Sequence, residues 1–245
     1  MQILYLSLIG LLVGLVLDKL VVRLAVRPDA PEEPVEPDAE AADARPAPGH
    51  ALIHAEAGSM VVDISPAQAW ARRLIVVGAT AGLFAVTAAR FHEISHLAVV
   101  TAYVSVLILC AGTDVLSFRV PNVVTYPAIV AALIIGATIP GASFLEVLAG
   151  GALAGGVLLL PALLTGGVGM GMGDVKLIAF SGFALGFANV APALLFMGLG
   201  GGAAAILLLL SGRRKRREPI PYAPFISAGV LATIFWQGTA FVVLT

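Results

Sequence analysis

Long apolar stretches recur along this chain, and their recurrence constrains the fold more than any other feature. They run approximately over Ile3–Val22, Trp70–Arg90, His96–Gly112, Val123–Ile139, Phe144–Leu164, Val175–Phe187, Val190–Leu210 and Phe225–Leu244. Most approach the roughly 20 residues that a helix needs to cross a bilayer. The reading is an all-α polytopic membrane protein with about eight transmembrane helices. The sixth stretch is short for a full crossing, and Gly186 and Asn189 suggest a tight re-entry into the seventh. Small residues crowd the fifth and seventh, as in Gly150-Gly151-Ala152-Leu153-Ala154-Gly155-Gly156 and Gly198-Leu199-Gly200-Gly201-Gly202-Ala203, and such runs let membrane helices pack closely.

Composition agrees: 59% of residues are hydrophobic, only 12% are charged, and mean hydropathy is +1.00. The first stretch is not read as a signal peptide. It lacks a basic leader and a small-residue cleavage site, and Asp18, Lys19, Arg23 and Arg27 follow it without a break. The single cysteine, Cys110, lies within an apolar stretch, so an internal disulfide and a cysteine zinc cage are both excluded. The net charge of −1 says nothing about partners.

Charge sets the topology. Arg213-Arg214-Lys215-Arg216-Arg217 is the strongest basic cluster and belongs on the cytoplasmic side, as do Lys19, Arg23, Arg27, Arg72 and Arg73. Counting from these anchors puts both termini outside and the segments Asp114–Pro121 and Thr165–Asp174 inside. Three parts result: a first transmembrane helix over 1–26, an acidic Pro/Ala-rich cytoplasmic linker over 27–68, and a membrane core over 69–245. The linker, with Pro28-Asp29-Ala30-Pro31-Glu32-Glu33-Pro34, buries too little apolar surface to offset its ordering entropy and is expected to be disordered.

Two carboxylates stand at the edges of apolar runs on that inner face. One is Asp174 in Gly169-Met170-Gly171-Met172-Gly173-Asp174-Val175-Lys176-Leu177; the other is Asp114 in Gly112-Thr113-Asp114-Val115. An ionisable group at membrane depth is costly, so each is a functional candidate. Taken singly, Asp114 reads as a cytoplasmic helix exit and Asp174 as the N-cap of the sixth helix. Together they suggest an aspartyl protease. Like charges sharing a site cannot both ionise, so the pair retains a proton near neutrality. The ionised partner takes a proton from the attacking water, and the protonated one donates to the scissile carbonyl. Gly171 and Gly173 leave room for an extended substrate backbone. Lys176 is placed either to orient a carboxylate or to snorkel at the interface. Arg119 and Asn122 read as loop anchors, with Asn122 a candidate cap for the fourth helix.

These segments resemble the type IV prepilin peptidases, bacterial membrane aspartyl proteases of the G-x-G-D type. Gly171-Met172-Gly173-Asp174-Val175-Lys176-Leu177 is similar to the family's G-x-G-D loop. Asp114-x4-Arg119-Val120-Pro121-Asn122, with Thr125 and Pro127, resembles the segment of the other aspartate. Gly14-x3-Asp18-x4-Arg23-Leu24 is similar to the first-helix pattern, with Asp18 where Asn is usual, and Pro221-Tyr222-Ala223-Pro224-Phe225 resembles the start of the last helix. The resemblance implies Asp114 and Asp174 as the catalytic pair. It implies a prepilin or pseudopilin substrate, cut after its basic leader at the cytoplasmic boundary of the bacterial inner membrane. The lipid bilayer is a partner; no cofactor, metal or nucleic acid is implied. Many members carry a cytoplasmic domain with two Cys-x-x-Cys pairs, associated with methylation of the product. Here the acidic linker stands in its place, so methylation is not expected.

Two other readings compete. His92-Glu93-Ile94-Ser95-His96 satisfies H-E-x-x-H, in which two His one helical turn apart hold zinc, as in an intramembrane metalloprotease. Its expected place, a short turn on the outer face, offers no obvious third ligand. An ion-coupled transporter would relay protons through intramembrane Asp residues, but internal repeats and mid-span charges are not evident.

Overall fold

The structure, a computed structural model, describes residues 1–26, 66–139, 143–164, 171–211, 221–240 and 242–243. Of the linker expected over 27–68, residues 27–65 lie outside the described residues, as does the Arg213–Arg217 cluster, while 66–68 already belong to the second helix. Eight helices follow one another: α1 (Gln2–Val26), α2 (Pro66–Arg90), α3 (Ile94–Ser117), α4 (Asn122–Thr138), α5 (Phe144–Leu164), α6 (Met172–Leu185), α7 (Phe187–Leu210) and α8 (Ala223–Gln237). Five of them, α1, α2, α3, α5 and α7, are long and apolar enough to cross a membrane, while α4 and α8 are shorter apolar helices. The 14-residue α6 rises roughly 21 Å, less than the hydrocarbon thickness of about 30 Å, and is not a span. The chain is a multi-pass helical membrane protein.

The last expected span is interrupted. Helix α8 stops at Gln237, and Gly238, at φ 98°, turns the chain into a small antiparallel pair of β1 (Gly238–Thr239) and β2 (Val242–Val243), Gly238 opposite Val243. The Ala240 N–H donates to the Ala184 carbonyl, so this pair docks on the end of α6.

Lipid is the solvent for the outer surface. Leu12, Leu74, Ile75, Leu160, Leu163, Leu195 and Leu207 are exposed, whereas Thr80, Thr87, Thr113, Thr125 and Thr233 sit in the interior. Those threonines satisfy their hydroxyls on their own helices, as Thr80 does on the Val76 carbonyl at 2.7 Å and Thr233 on that of Gly229 at 2.9 Å. Small residues bring backbones together where the helices cross. A Cβ at Gly10 or Gly14 would meet the Ala81 or Val77 Cα at 2.8 Å, and one at Gly182 would overlap the Gly150 carbonyl. In α5, Gly150, Gly151 and Gly155 therefore pack, as their pattern implied, while Gly156 meets nothing. In α7 only Gly201 is closely opposed, by the Tyr222 ring, and Gly198 and Gly202 meet nothing.

One charged pair fastens the first two helices. Arg72 Nε donates to Asp18 Oδ1 at 2.9 Å, with both side chains largely shielded. Helix α3 follows α2 after a three-residue turn and runs back along it. Its C-terminal end, which carries Asp114, therefore lies at the same end of the bundle as Lys19, Arg23, Arg72 and Arg73.

Candidate active site

Asp114 falls in the last turn of α3, three residues short of the helix end rather than beyond it, and is 5% exposed. The helix closes at Phe118, whose φ of 53° is left-handed and whose N–H donates to the Asp114 carbonyl at 2.8 Å. That turn sends the chain through Arg119, exposed, and Val120 to Pro121, the N-cap of α4. The Asp114 carboxylate faces the start of α8. Its Oδ2 accepts the Ala223 N–H at 2.9 Å, and the Tyr222 backbone N–H donates to it as well. Pro224, near the start of α8, lacks a donor where a helix needs none. The free amides just before it, at the positive end of the helix dipole, are thus turned on a carboxylate.

Asp174 is not the N-cap of α6. Gly171 caps that helix, and Asp174 is its third residue. Its N–H bonds the Gly171 carbonyl at 3.1 Å, and its side chain reaches back to the Gly171 N–H, the return half of a capping box. The other carboxyl oxygen, Oδ1, is buried without a hydrogen-bond partner among the described residues. Burial first, and the Asp114 charge second, push the Asp174 pKa up to about 7, with the Gly171 N–H opposing them. The Asp114 charge thus reaches Asp174 from a segment sixty residues away in sequence.

Gly173 shows how they are brought together. A Cβ there would stand 2.9 Å from the Val120 Cβ, so the loop before Asp174 packs without clearance on the turn after Asp114. Gly171 is different: exposed, at φ −71°, it would place a Cβ no closer than 3.5 Å to Asp174 Oδ2. Of the two glycines, packing demands only Gly173.

Lys176 turns away from the carboxylates. Its Nζ donates to Asn122 Oδ1 at 2.9 Å and lies 4.8 Å from the centre of the Tyr126 ring, tying the start of α6 to the start of α4. Asn122 is the first residue of α4 rather than its cap, and its side chain is committed to Lys176. Tyr126 is not singled out by the sequence pattern, and Val120, Tyr222 and Ala223 enter it only as members of motif strings, with no role of their own. For the last two, Pro224 was the available signal, because proline marks a helix start whose amides are free. The Tyr222 ring lies near Phe225 and Gly201, and burial, then the Asp174 charge, raise its pKa.

His92 and His96 stand at the other end of the bundle. Helix α3 begins at Ile94 behind an extended Glu93, so His92 precedes the helix and the two imidazoles are not one helical turn apart. His96 Nε2 lies 3.5 Å from the Glu93 carboxylate, and His92 lines an apolar groove with Tyr5, Phe84 and Leu97. Among the described residues no three His, Cys, Asp or Glu side chains cluster as metal ligands.

Residues 101–210, which contain both aspartates, match the model of the type IV leader peptidase family. This segment is thus similar to the type IV leader peptidases. The chain is also 36% identical over 160 residues to a protein of Bacillus subtilis named prepilin leader peptidase/N-methyltransferase, covering 64% of this chain and 63% of the relative. Proteins of the same name from Burkholderia pseudomallei and Xanthomonas campestris are 35% and 33% identical over 88 and 73 residues, or 36% and 30% of this chain. Those matches cover 28% and 25% of the relatives. The chain thus spans less than two thirds of the length of the curated relatives it matches. No solved structure matches it.

Proposed function

We propose that this chain is a membrane aspartyl endopeptidase that removes the basic leader from type IV prepilins or pseudopilins, with Asp114 and Asp174 as its catalytic pair. The observation that carries the reading is the electrostatic coupling of two aspartates from separate helices, both inside the type IV leader peptidase match. A pair that shares one proton can both activate water and protonate the scissile carbonyl. Gly173 brings the two segments together, and Lys176 with Asn122 holds the α6 start in place. Gly171 and Arg119 are both exposed, and a substrate backbone would lie beside them.

The membrane core over 69–245 carries the reaction, and the acidic linker over 27–68 serves as a cytoplasmic connection. The site faces the cytoplasm at the inner membrane. This orientation is supported by Lys19, Arg23, Arg72 and Arg73 at the end of the bundle that holds Asp114. A leader in water joined to an apolar helix in lipid suits a site at that boundary.

The test is leader release from a prepilin by purified protein in detergent or liposomes. Asp114→Asn and Asp174→Asn are each expected to slow cleavage by at least about a hundredfold while the protein stays folded and monodisperse. Substantial processing by either variant would sink the assignment of the pair.

A further inference from the structure

Nothing in a pair of aspartates says which one holds the proton; their surroundings do. Asp114 meets donors: the Ala223 N–H at 2.9 Å and the Tyr222 N–H, both main-chain groups at the start of α8. Main-chain N–H groups can only donate, and they are turned on the oxygens of a carboxylate, whose charge the helix terminus complements. Asp174 meets a different setting. One oxygen takes the Gly171 N–H, and the other, Oδ1, is buried with no partner among the described residues. An ionised oxygen in that position is a desolvated acceptor left unpaired, whereas a hydroxyl there carries a proton ready to donate.

We infer that the shared proton belongs to Asp174, the general acid, and that the amides opening α8 keep Asp114 as the carboxylate that activates water. The inference rests on the proposed proteolysis and divides its labour. Asp114 removes a proton from water as the water oxygen bonds to the scissile carbonyl carbon. Asp174 gives its proton to the carbonyl oxygen, leaving a gem-diol with Asp114 protonated and Asp174 ionised. On collapse the C–N bond breaks. The proton on Asp114 passes to the departing nitrogen, and one gem-diol hydroxyl returns its proton to Asp174. The products are a carboxylic acid and an amine, and both side chains are restored.

The charged and titratable groups around Asp174 fit this division. Lys176, on its own helix, is engaged by Asn122 and Tyr126 of α4. Helix α5 offers only Glu146, in its first turn at the far end, and α7 offers none among its described side chains. Arg119 in the α3–α4 turn is exposed; Cys110 lies one turn before Asp114 on α3; Tyr222 contributes a phenol. Among the described residues Asp114 is the one carboxylate whose charge acts on it.

Infrared difference spectroscopy of the full-length protein reads the proton without any substrate. The carbonyl stretch of a protonated carboxylic acid is expected in the wild type below neutrality, disappearing as pH rises through about 7. Asp174→Asn should abolish this band. Asp114→Asn should keep it, with its midpoint moved to lower pH because the neighbouring charge is gone. A band lost in Asp114→Asn and retained in Asp174→Asn would reverse the roles, and no titrating band in the wild type would overturn the assignment altogether. Because no cleavage is measured, this outcome is independent of whether the protein cuts prepilins.

Discussion

Asp174 is neutral at a pH where an ordinary aspartate is ionised, and that has two measurable consequences of the same sign. Its pKa of about 7 lies above the value near 3.9 expected in an unfolded chain. Between those limits the folded protein binds the proton that the unfolded chain has released, so raising the pH through this window lowers stability. The thermal midpoint of the wild type should therefore fall between roughly pH 4 and pH 7 more than that of Asp174→Asn, which has no carboxyl to ionise there. Leader cleavage should follow the same ionisation. Once Asp174 loses its proton the site has two like charges and no acid, and the rate is expected to drop about tenfold per pH unit above 7. A cleavage rate flat from pH 7 to pH 9 would remove the requirement for a protonated aspartate.

Among the elements, the junction of the α3–α4 turn with the α6 start decides whether two aspartates far apart in sequence meet. Gly173→Ala places its methyl carbon 2.9 Å from the Val120 Cβ, and the loop must lift. A displacement of that kind between reacting groups costs about ten- to a hundredfold in rate. Val120→Gly in the same molecule removes the Cβ and leaves the backbone N of residue 120, at 3.4 Å, as the nearest of these contacts, so the double variant should regain much of the activity. The same reasoning predicts that Lys176→Met and Asn122→Ala each slow cleavage about tenfold. The double variant should be little worse than either, because both remove one interaction. The helices themselves were legible in the apolar runs; α5 begins and ends where its pattern does, at Phe144 and Leu164. What was not legible depends on contacts across helices. No local signal says that Phe118 closes α3 in a left-handed conformation, or that Asn122 serves Lys176 rather than its own helix end. Likewise, Asp174 satisfies the rules for an N-cap, yet Gly171 starts the helix and leaves the aspartate at the third position.

At the scale of the whole molecule, the proposed proteolysis is separable by experiment from methyl transfer. The curated relatives carry a name with both activities, peptidase and N-methyltransferase. In this chain α1 leads through the acidic 27–65 segment to α2, and Asp18 of the one pairs with Arg72 of the other. The sequence holds a single cysteine, Cys110, and it is buried in α3, a helix that spans the membrane. Four thiolates cannot be assembled within one such chain, so a zinc-held domain of Cys-x-x-Cys pairs cannot form from it. The proposed catalytic pair is positioned within the helices: Asp114 is held by α8, Asp174 by its own helix start, and the two segments by Gly173 on Val120. Purified protein should accordingly release the leader with no methyl donor present, and the mature product should keep a free N-terminal amine even when S-adenosylmethionine is added. Mass spectrometry of the product with and without the donor decides this. A donor-dependent gain of one methyl group would mean that the membrane helices themselves bind the donor, and that the cysteine pairs of relatives are dispensable for methylation.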